Sequence, residues 1–194
     1  MAPYIQIENL TRTYVRGTNE ICALNDVSVN ISDGEFVALM GPSGSGKTTL
    51  LNIVAGIDHA TSGAVSIGDQ DVLAMSDARK ASWRTRNVGY VFQFYNLMPM
   101  LTAFENVELP LLVLPMSRTQ RREHAQAALE AVAIEQRRDH YPKQLSGGEQ
   151  QRVAIARAIV TDAKVLVADE PTGNLDAQSE QEIMTLLKRL NTEL

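Results

Sequence analysis

The 194-residue chain has a single cysteine, Cys22, so it forms no internal disulfide. Such sparing use of cysteine fits a reducing cytoplasm. It has no excess of positive charge: 18 lysines and arginines stand against 23 acidic residues, for a net charge of −5. Nucleic acid is a polyanion whose binding needs a basic face, so no nucleic-acid partner is expected. The local clusters Arg118, Arg121, Arg122 and Arg137, Arg138 read as solvated helix faces. Long apolar runs are missing too. The nearest, residues 109–116, is broken by Pro110 and Pro115 and falls far short of the roughly 18 residues of a membrane span. The opening residues show neither the charged nor the apolar region of a signal peptide. Work at a membrane is therefore expected to go through a partner. With 44% hydrophobic and 21% charged residues the composition is that of an ordinary soluble domain, and the length suits one domain with room for an insertion.

What is present is concentrated in a few stretches. Gly41-Pro42-Ser43-Gly44-Ser45-Gly46-Lys47-Thr48 matches the pattern G-x-x-x-x-G-K-[ST]. Ahead of it, residues 35–40 are a short apolar run that predicts a buried parallel strand. Behind it, residues 49–55 predict a helix that stops at Gly56, a good C-cap residue. In that context the glycines let the backbone curl so that successive N–H groups point at phosphate oxygens. The helix adds the positive end of its dipole. Lys47 is placed to reach β- and γ-phosphates, and the Thr48 hydroxyl to ligate Mg2+. The candidate nucleotide contacts run from Gly41 through Thr49, and the stretch predicts a nucleoside-triphosphate site.

Residues 4–10 and 24–31 alternate apolar and polar, which predicts half-buried antiparallel strands joined through a loop containing Gly17. Tyr14, just past the first, either packs locally or stacks on a base, and spacing leaves both open. Residues 63–72 predict a strand entering a Gly-Asp turn, residues 77–86 a short helix with the sole tryptophan, Trp83, and residues 87–92 a strand ending on Gln93. A polar side chain at that end of a strand in an open α/β sheet is where ligand contacts gather. Beyond it an all-helical insertion is expected over about residues 94–144, opened by capping boxes at Thr102 with Glu105 and Ser117 with Gln120.

Leu145-Ser146-Gly147-Gly148-Glu149 follows, leading into a helical run. Ser146 with Glu149 is another capping box, yet each glycine in a helical turn costs about 1 kcal/mol relative to alanine. Either this is merely a glycine-containing helix start, or an anion must approach the bare backbone there. Residues 164–170 predict a second buried strand ending in Asp169 and Glu170. Such a strand beside a phosphate loop holds Mg2+ through its terminal aspartate, here Asp169, which leaves Glu170 one residue further on to polarise a water. After a turn at residues 171–176, Ile183, Leu186, Leu187 and Leu190 recur at i, i+3, i+4 and i+7 as a core-facing helical stripe.

With these motifs in this order, the chain resembles the ATP-binding-cassette ATPases over nearly its whole length. The phosphate loop (Walker A), Gln93, the Leu-Ser-Gly-Gly signature, the Asp169-Glu170 strand end (Walker B) and the turn Asn174-Leu175-Asp176 stand in that family's order. Details at residues 91–97, 105–110 and 169–176 are similar to the subgroup of macrolide-export and lipoprotein-releasing ATPases, with the cell-division cassettes close by. The resemblance implies an α/β fold of the P-loop NTPase type: a mixed central sheet, an N-terminal antiparallel β subdomain and an inserted α-helical subdomain. The sheet core with its β subdomain would take about residues 1–93 and 145–194, and the helical subdomain about 94–144.

The resemblance also implies two cassettes packed head to tail, with each ATP between the Walker A of one and the signature of the other. Ser146 and Gly148, with Gly147 between them, would meet the γ-phosphate in trans. Tyr14 would stack on adenine. Thr48, Gln93 and Asp169 would surround Mg2+ directly or through water, Glu170 would act as general base beside Gln93, and Asp176 would help join the two sites across the dimer. The helical insertion and the loop after Gln93 would receive an integral membrane permease subunit, which places the ATPase at the cytoplasmic face of the cell membrane.

This chain departs from the family at two places. Glu149 stands where many members have glutamine, but it still completes the capping box, so little effect is expected. In the family a further strand, ending in a switch histidine, follows the final helix. His59, His124 and His140 are the only histidines here, and none follows the turn at 174–176. Either the chain is a fragment cut short of that strand or it lacks that function, and slow turnover with a partly uncovered 183–190 stripe is expected. The runner-up function is an ATP-dependent dimerisation module of the cell-division type that regulates a membrane complex without transport. A soluble cassette ATPase of DNA repair or translation is disfavoured by the lack of a basic face, coiled-coil arms and a second cassette.

Overall fold

The computed structural model describes residues 3–193, the side chain of Arg16 excepted. They fall into two compact units that divide between Arg84 and Thr85. The first is built on an antiparallel sheet of strand order β2-β1-β3-β4. β1 (Ile5–Arg16) and β2 (Asn19–Ile31) form a long hairpin that turns at Gly17, whose φ of 64° is open to glycine at little cost. Both strands run beyond the alternating stretches, because residues 12–16 find partners among residues 19–24, as Thr13 does in Cys22 and Tyr14 in Ile21. β3 (Ser62–Ile67) pairs with β1 and returns through Gly68 to the short β4 (Gln70–Asp71). The alternation buries Ile5, Ile7 and Leu10 with Leu24, Val65 and Ile67. α1 (Lys47–Val54) buries Leu50, Ile53 and Val54 and ends at the expected place, with Gly56 left-handed just past its cap. α2 (Asp77–Asn87) follows, with the division between the units falling within it.

Residues 35–40 depart from expectation. They take no regular secondary structure, and Phe36 (43%), Val37 (42%) and Met40 (94%) are exposed. A parallel strand exists only where a neighbour supplies its ladder, and no ladder among the described residues includes this run. Apolar character made the stretch suitable for a strand, but pairing decides whether one forms.

The second unit holds a parallel pair, β5 (Val88–Val91) and β6 (Val165–Ala168), in the register Val88↔Val165 to Val91↔Ala168. Between and after these strands come α3 (Ala103–Glu108), α4 (Arg118–Ala131), α5 (Gly147–Ile159) and α6 (Ala177–Glu193). The capping boxes at Thr102, Ser117 and Ser146 all form with both bonds. Their core joins Phe104, Val107, Leu111, Leu129, Val153 and Ile155 to the α6 stripe. That stripe is not partly uncovered, as the sequence led us to expect: Ile183 is 0% exposed and Leu186, Leu187 and Leu190 no more than 5%. α5 and its neighbours within the same unit cover it, and each such side chain contributes about 1.5–3 kcal/mol of transfer free energy. Buried Asn106 accepts from the Met98 N–H (2.7 Å) and donates to the carbonyls of Met98, Leu101 and Thr102, which ties the segment before α3 to that helix. Among the described residues no helix is long and apolar enough to cross a membrane.

Candidate active site

α1 opens on the candidate phosphate loop. Gly46 is its N-cap at φ 89°, and a Cβ there would lie 2.3 Å from the Ala23 carbonyl oxygen, so no larger residue fits. Gly44 is also left-handed, φ 79°, with nothing within 4 Å of its Cβ position, which leaves open space over the loop. The Ser45 N–H closes the turn on the Pro42 carbonyl at 3.2 Å, and the Leu50 N–H begins the helix ladder on Gly46 at 2.9 Å. The first turn of α1 carries no acidic residue of its own, so the helix sets no negative charge against the positive end of its dipole. Lys47 Nζ donates to the carbonyls of Gly41 (2.9 Å) and Pro42 (3.0 Å). Both acceptors are neutral and an ammonium has three donors, so its full charge and one donor remain for an anion. Gly41, Pro42, Ser43, Ser45 and Thr48 are exposed and Thr49 is half-buried.

Tyr14 lies on β1 in the same unit. Its hydroxyl donates to Asp58 Oδ2 at 2.6 Å, and the Arg12 guanidinium lies 4.4 Å from its ring centroid.

In the second unit the candidates meet at the C-terminal ends of β5 and β6. The Asp169 N–H donates to the Val91 carbonyl at 3.0 Å, extending the ladder by one step, so Gln93 and Asp169-Glu170 leave adjacent parallel strands at the same end. Glu170 is left-handed at φ 46°, which costs a non-glycine residue on the order of 1–2 kcal/mol. The Gly173 N–H closes that turn on the Glu170 carbonyl at 3.0 Å. A Cβ on Gly173 would lie 3.2 Å from Gln93 Nε2 and 3.5 Å from Glu170 Oε2, so the amide and the carboxylate flank the same bare Cα. Asn174 Nδ2 donates to the Gln93 carbonyl at 2.8 Å. Burial and, after it, the charge of Asp169 push the Tyr90 phenol up to about 12. Among the described residues no three His, Cys, Asp or Glu side chains gather as a metal site. A carboxylate and an amide side by side suit instead a shared role on a hard cation and a proton-accepting role towards water.

At the signature, Ser146 is exposed, and its Oγ accepts from the Glu149 N–H at 3.3 Å. Hydrogen bonds from the Ser146 N–H and from Arg137 Nε (2.9 Å) hold the Glu149 carboxyl below its ordinary range. Glutamate here therefore does more than complete the cap. A Cβ on Gly147 would lie 3.0 Å from Tyr95 Oη, and one on Gly148 3.2 Å from Ser179 Oγ, so close packing within the chain also uses these glycines. The Asp176 carboxylate accepts from the Ser179 N–H and hydroxyl, both at 2.9 Å, and caps α6.

A family profile described as "ABC transporter" matches residues 24–173. The chain belongs to the ABC transporter family. It is 48% identical to an uncharacterized ABC transporter ATP-binding protein of Methanocaldococcus jannaschii, covering 97% of this chain and 82% of that one. It is 46% identical to the lipoprotein-releasing system ATP-binding protein LolD of Bordetella avium, over 97% and 82% of the two chains. The macrolide export ATP-binding/permease protein MacB of Rhodopirellula baltica is also 46% identical, over 97% of this chain and 28% of MacB. A solved dimeric structure of an ATP-binding cassette in a post-hydrolysis state, bound to ADP and Pi, matches with a TM-score of 0.88 at 46% identity, over 97% of this chain and 83% of that one.

In this ABC transporter cassette, two side chains that the sequence does not single out hold turns beside the candidate site residues. Arg157 donates to the carbonyls of Asn96 (2.6 Å) and Tyr95 (2.7 Å), two consecutive residues that are left-handed at φ 50° and 56°. Fully buried Gln151 donates from Nε2 to the Pro171 carbonyl at 2.7 Å and ties the turn after Glu170 to α5. The available signal was a glutamine and an arginine on a helix whose other buried residues are Val153, Ala154, Ile155, Ala156 and Ala158.

Proposed function

We propose that this chain is the ATP-binding and ATP-hydrolysing subunit of a membrane transporter, coupling ATP-driven head-to-tail dimerisation to substrate movement by an integral membrane permease subunit. The loop–helix junction at Gly46 carries the reading: a turn only glycine can make, a helix with no acidic residue in its own first turn, and a lysine whose ammonium donates to the neutral carbonyls of Gly41 and Pro42. In this reading residues 41–49 cradle the triphosphate and Tyr14 stacks on adenine. Glu170 takes a proton from the attacking water, oriented beside Gln93, and the products are ADP and phosphate. The hydroxyl of Thr48, the amide oxygen of Gln93 and the Asp169 carboxylate are the hard oxygen donors that Mg2+ takes, directly or through water. When bound, that ion neutralises charge on the β- and γ-phosphate oxygens.

A second copy of the chain brings Ser146, Gly147 and Gly148 to the γ-phosphate, with Asp176 at the same junction. Residues 1–93 and 145–194 form the nucleotide-binding core, and 94–144 the helical subdomain that meets the permease at the cytoplasmic face of the membrane. Exposed Phe94, Met98, Met100, Leu112 and Val113 support a partner there. Relatives named for lipoprotein release and macrolide export favour transport over the regulatory reading.

Binding of a fluorescent ATP analogue and release of phosphate test the proposal together. Lys47→Ala is expected to abolish tight binding. Glu170→Gln should keep binding, lose about 10²–10⁴-fold in turnover and accumulate an ATP-dependent dimer. Parental affinity in the first variant, or parental turnover in the second, refutes the assignment.

A further inference from the structure

Tyr14 belongs to a built cluster rather than to a loose surface. Its hydroxyl donates to Asp58 Oδ2 at 2.6 Å, Arg12 Nη2 donates to Asp58 Oδ1 at 2.8 Å, and the Arg12 guanidinium lies 4.4 Å from the Tyr14 ring centroid. Arg12 and Asp58 are largely withdrawn from solvent, at 21% and 22% exposed. Burial alone would raise the Asp58 carboxyl. Hydrogen bonds from Tyr14 and the His59 N–H, together with the Arg12 charge, outweigh it and leave the group below its ordinary value. The carboxylate is thus ionised at neutral pH and able to hold both partners. With one ring face under the guanidinium and the hydroxyl anchored, Tyr14 is still 36% exposed, so the ring is fixed without being sealed from solvent.

The position of Asp58 adds a second point. It follows α1 directly, and both its N–H (3.2 Å) and that of Ile57 (2.8 Å) donate to the Asn52 carbonyl of that helix. The helix whose N-terminus forms the phosphate loop therefore carries at its other end the group that fixes the Tyr14 hydroxyl. A flat ring on a strand end would otherwise swing about its side-chain torsions, and a base stacking on it would have to immobilise it.

Resting on the reading of Tyr14 as the adenine platform, we infer that Arg12 and Asp58 are positioning residues for the nucleotide base. Asp58 fixes the hydroxyl end of the ring relative to the phosphate-loop helix, and Arg12 backs one face so that the other is presented to the purine. The cation–π contact also holds the ring in place before a base arrives.

The test compares two ligands on the full chain by calorimetric titration: ATP, which has a base, and inorganic tripolyphosphate, which has none. Asp58→Asn, Arg12→Lys and Tyr14→Phe should each weaken ATP about threefold to tenfold, in line with one lost hydrogen bond or cation–π contact. None should move tripolyphosphate more than about twofold. In a Tyr14→Ala background, which itself weakens ATP, Asp58→Asn should add nothing further. Equal weakening of both ligands would mean a merely structural role and overturn the inference. Unchanged ATP affinity in Asp58→Asn and Arg12→Lys, with Tyr14→Ala still impaired, would overturn it and leave the nucleotide site standing. Parental ATP affinity in Tyr14→Ala would remove the adenine platform itself, and the inference with it.

Discussion

Arg157→Met removes both donors that hold the turn after Gln93 while keeping most of the side-chain volume. The magnitude follows from the contacts. Two hydrogen bonds from a charged donor, at 2.6 and 2.7 Å, are lost, each worth about 1.5–3 kcal/mol. Part of this is returned, since burial disfavours the guanidinium charge enough to lower its pKa. The left-handed Tyr95 can then also relax, recovering on the order of 1 kcal/mol. The net loss is about 2–4 kcal/mol, which for a chain of this size lowers Tm by about 4–15 °C. Function should divide unevenly. Gln93 lies two residues before Tyr95, so relaxation of the turn displaces its amide, and kcat is expected to fall about tenfold or more. ATP affinity should hardly change, because in the proposed site residues 41–49 supply it. Scanning calorimetry, phosphate release and ATP titration on the same preparations check all three. A variant as stable as the parent refutes the energetic account. One that is less stable but has parental kcat refutes the link from Arg157 to Gln93.

Two further outcomes are expected. Gly173→Ala places a methyl group 3.2 Å from Gln93 Nε2 and 3.5 Å from Glu170 Oε2, so kcat should drop about tenfold with little change in ATP affinity or Tm; parental kcat would show that the two groups do not act as a pair. The Tyr90 phenol is raised from 10.0 to about 12, so the folded state holds that proton more tightly; its contribution to stability is complete below pH 10 and is lost as pH rises through about 12. Tyr90→Phe should therefore flatten the fall in Tm between those pH values, and an unchanged slope would refute this assignment.

The parts of this protein legible from sequence are those whose chemistry is local. A phosphate loop is a run of backbone N–H groups beside one lysine, so the motif that proposes one is contained whole in residues 41–48. The capping boxes at Thr102, Ser117 and Ser146 each need only residues i and i+3, and all three formed as read. The α6 stripe was legible as a stripe, but whether it is covered depends on α5 and the other helices of its unit, and there the sequence misled. Residues 35–40 failed as a strand for the same reason, since apolar side chains can be counted along a chain but a ladder partner cannot. The long-range side-chain contacts were beyond reach altogether. Arg12 meets Asp58 across 46 residues, and Arg157 meets Tyr95 across 62. Read singly, each is a common charged residue in an unremarked place. Only folding sets the Arg12 guanidinium against the Asp58 carboxylate or the Arg157 guanidinium against a strained carbonyl, because pairings at that separation are chosen by which surfaces the core brings together, and no periodicity in the sequence encodes them.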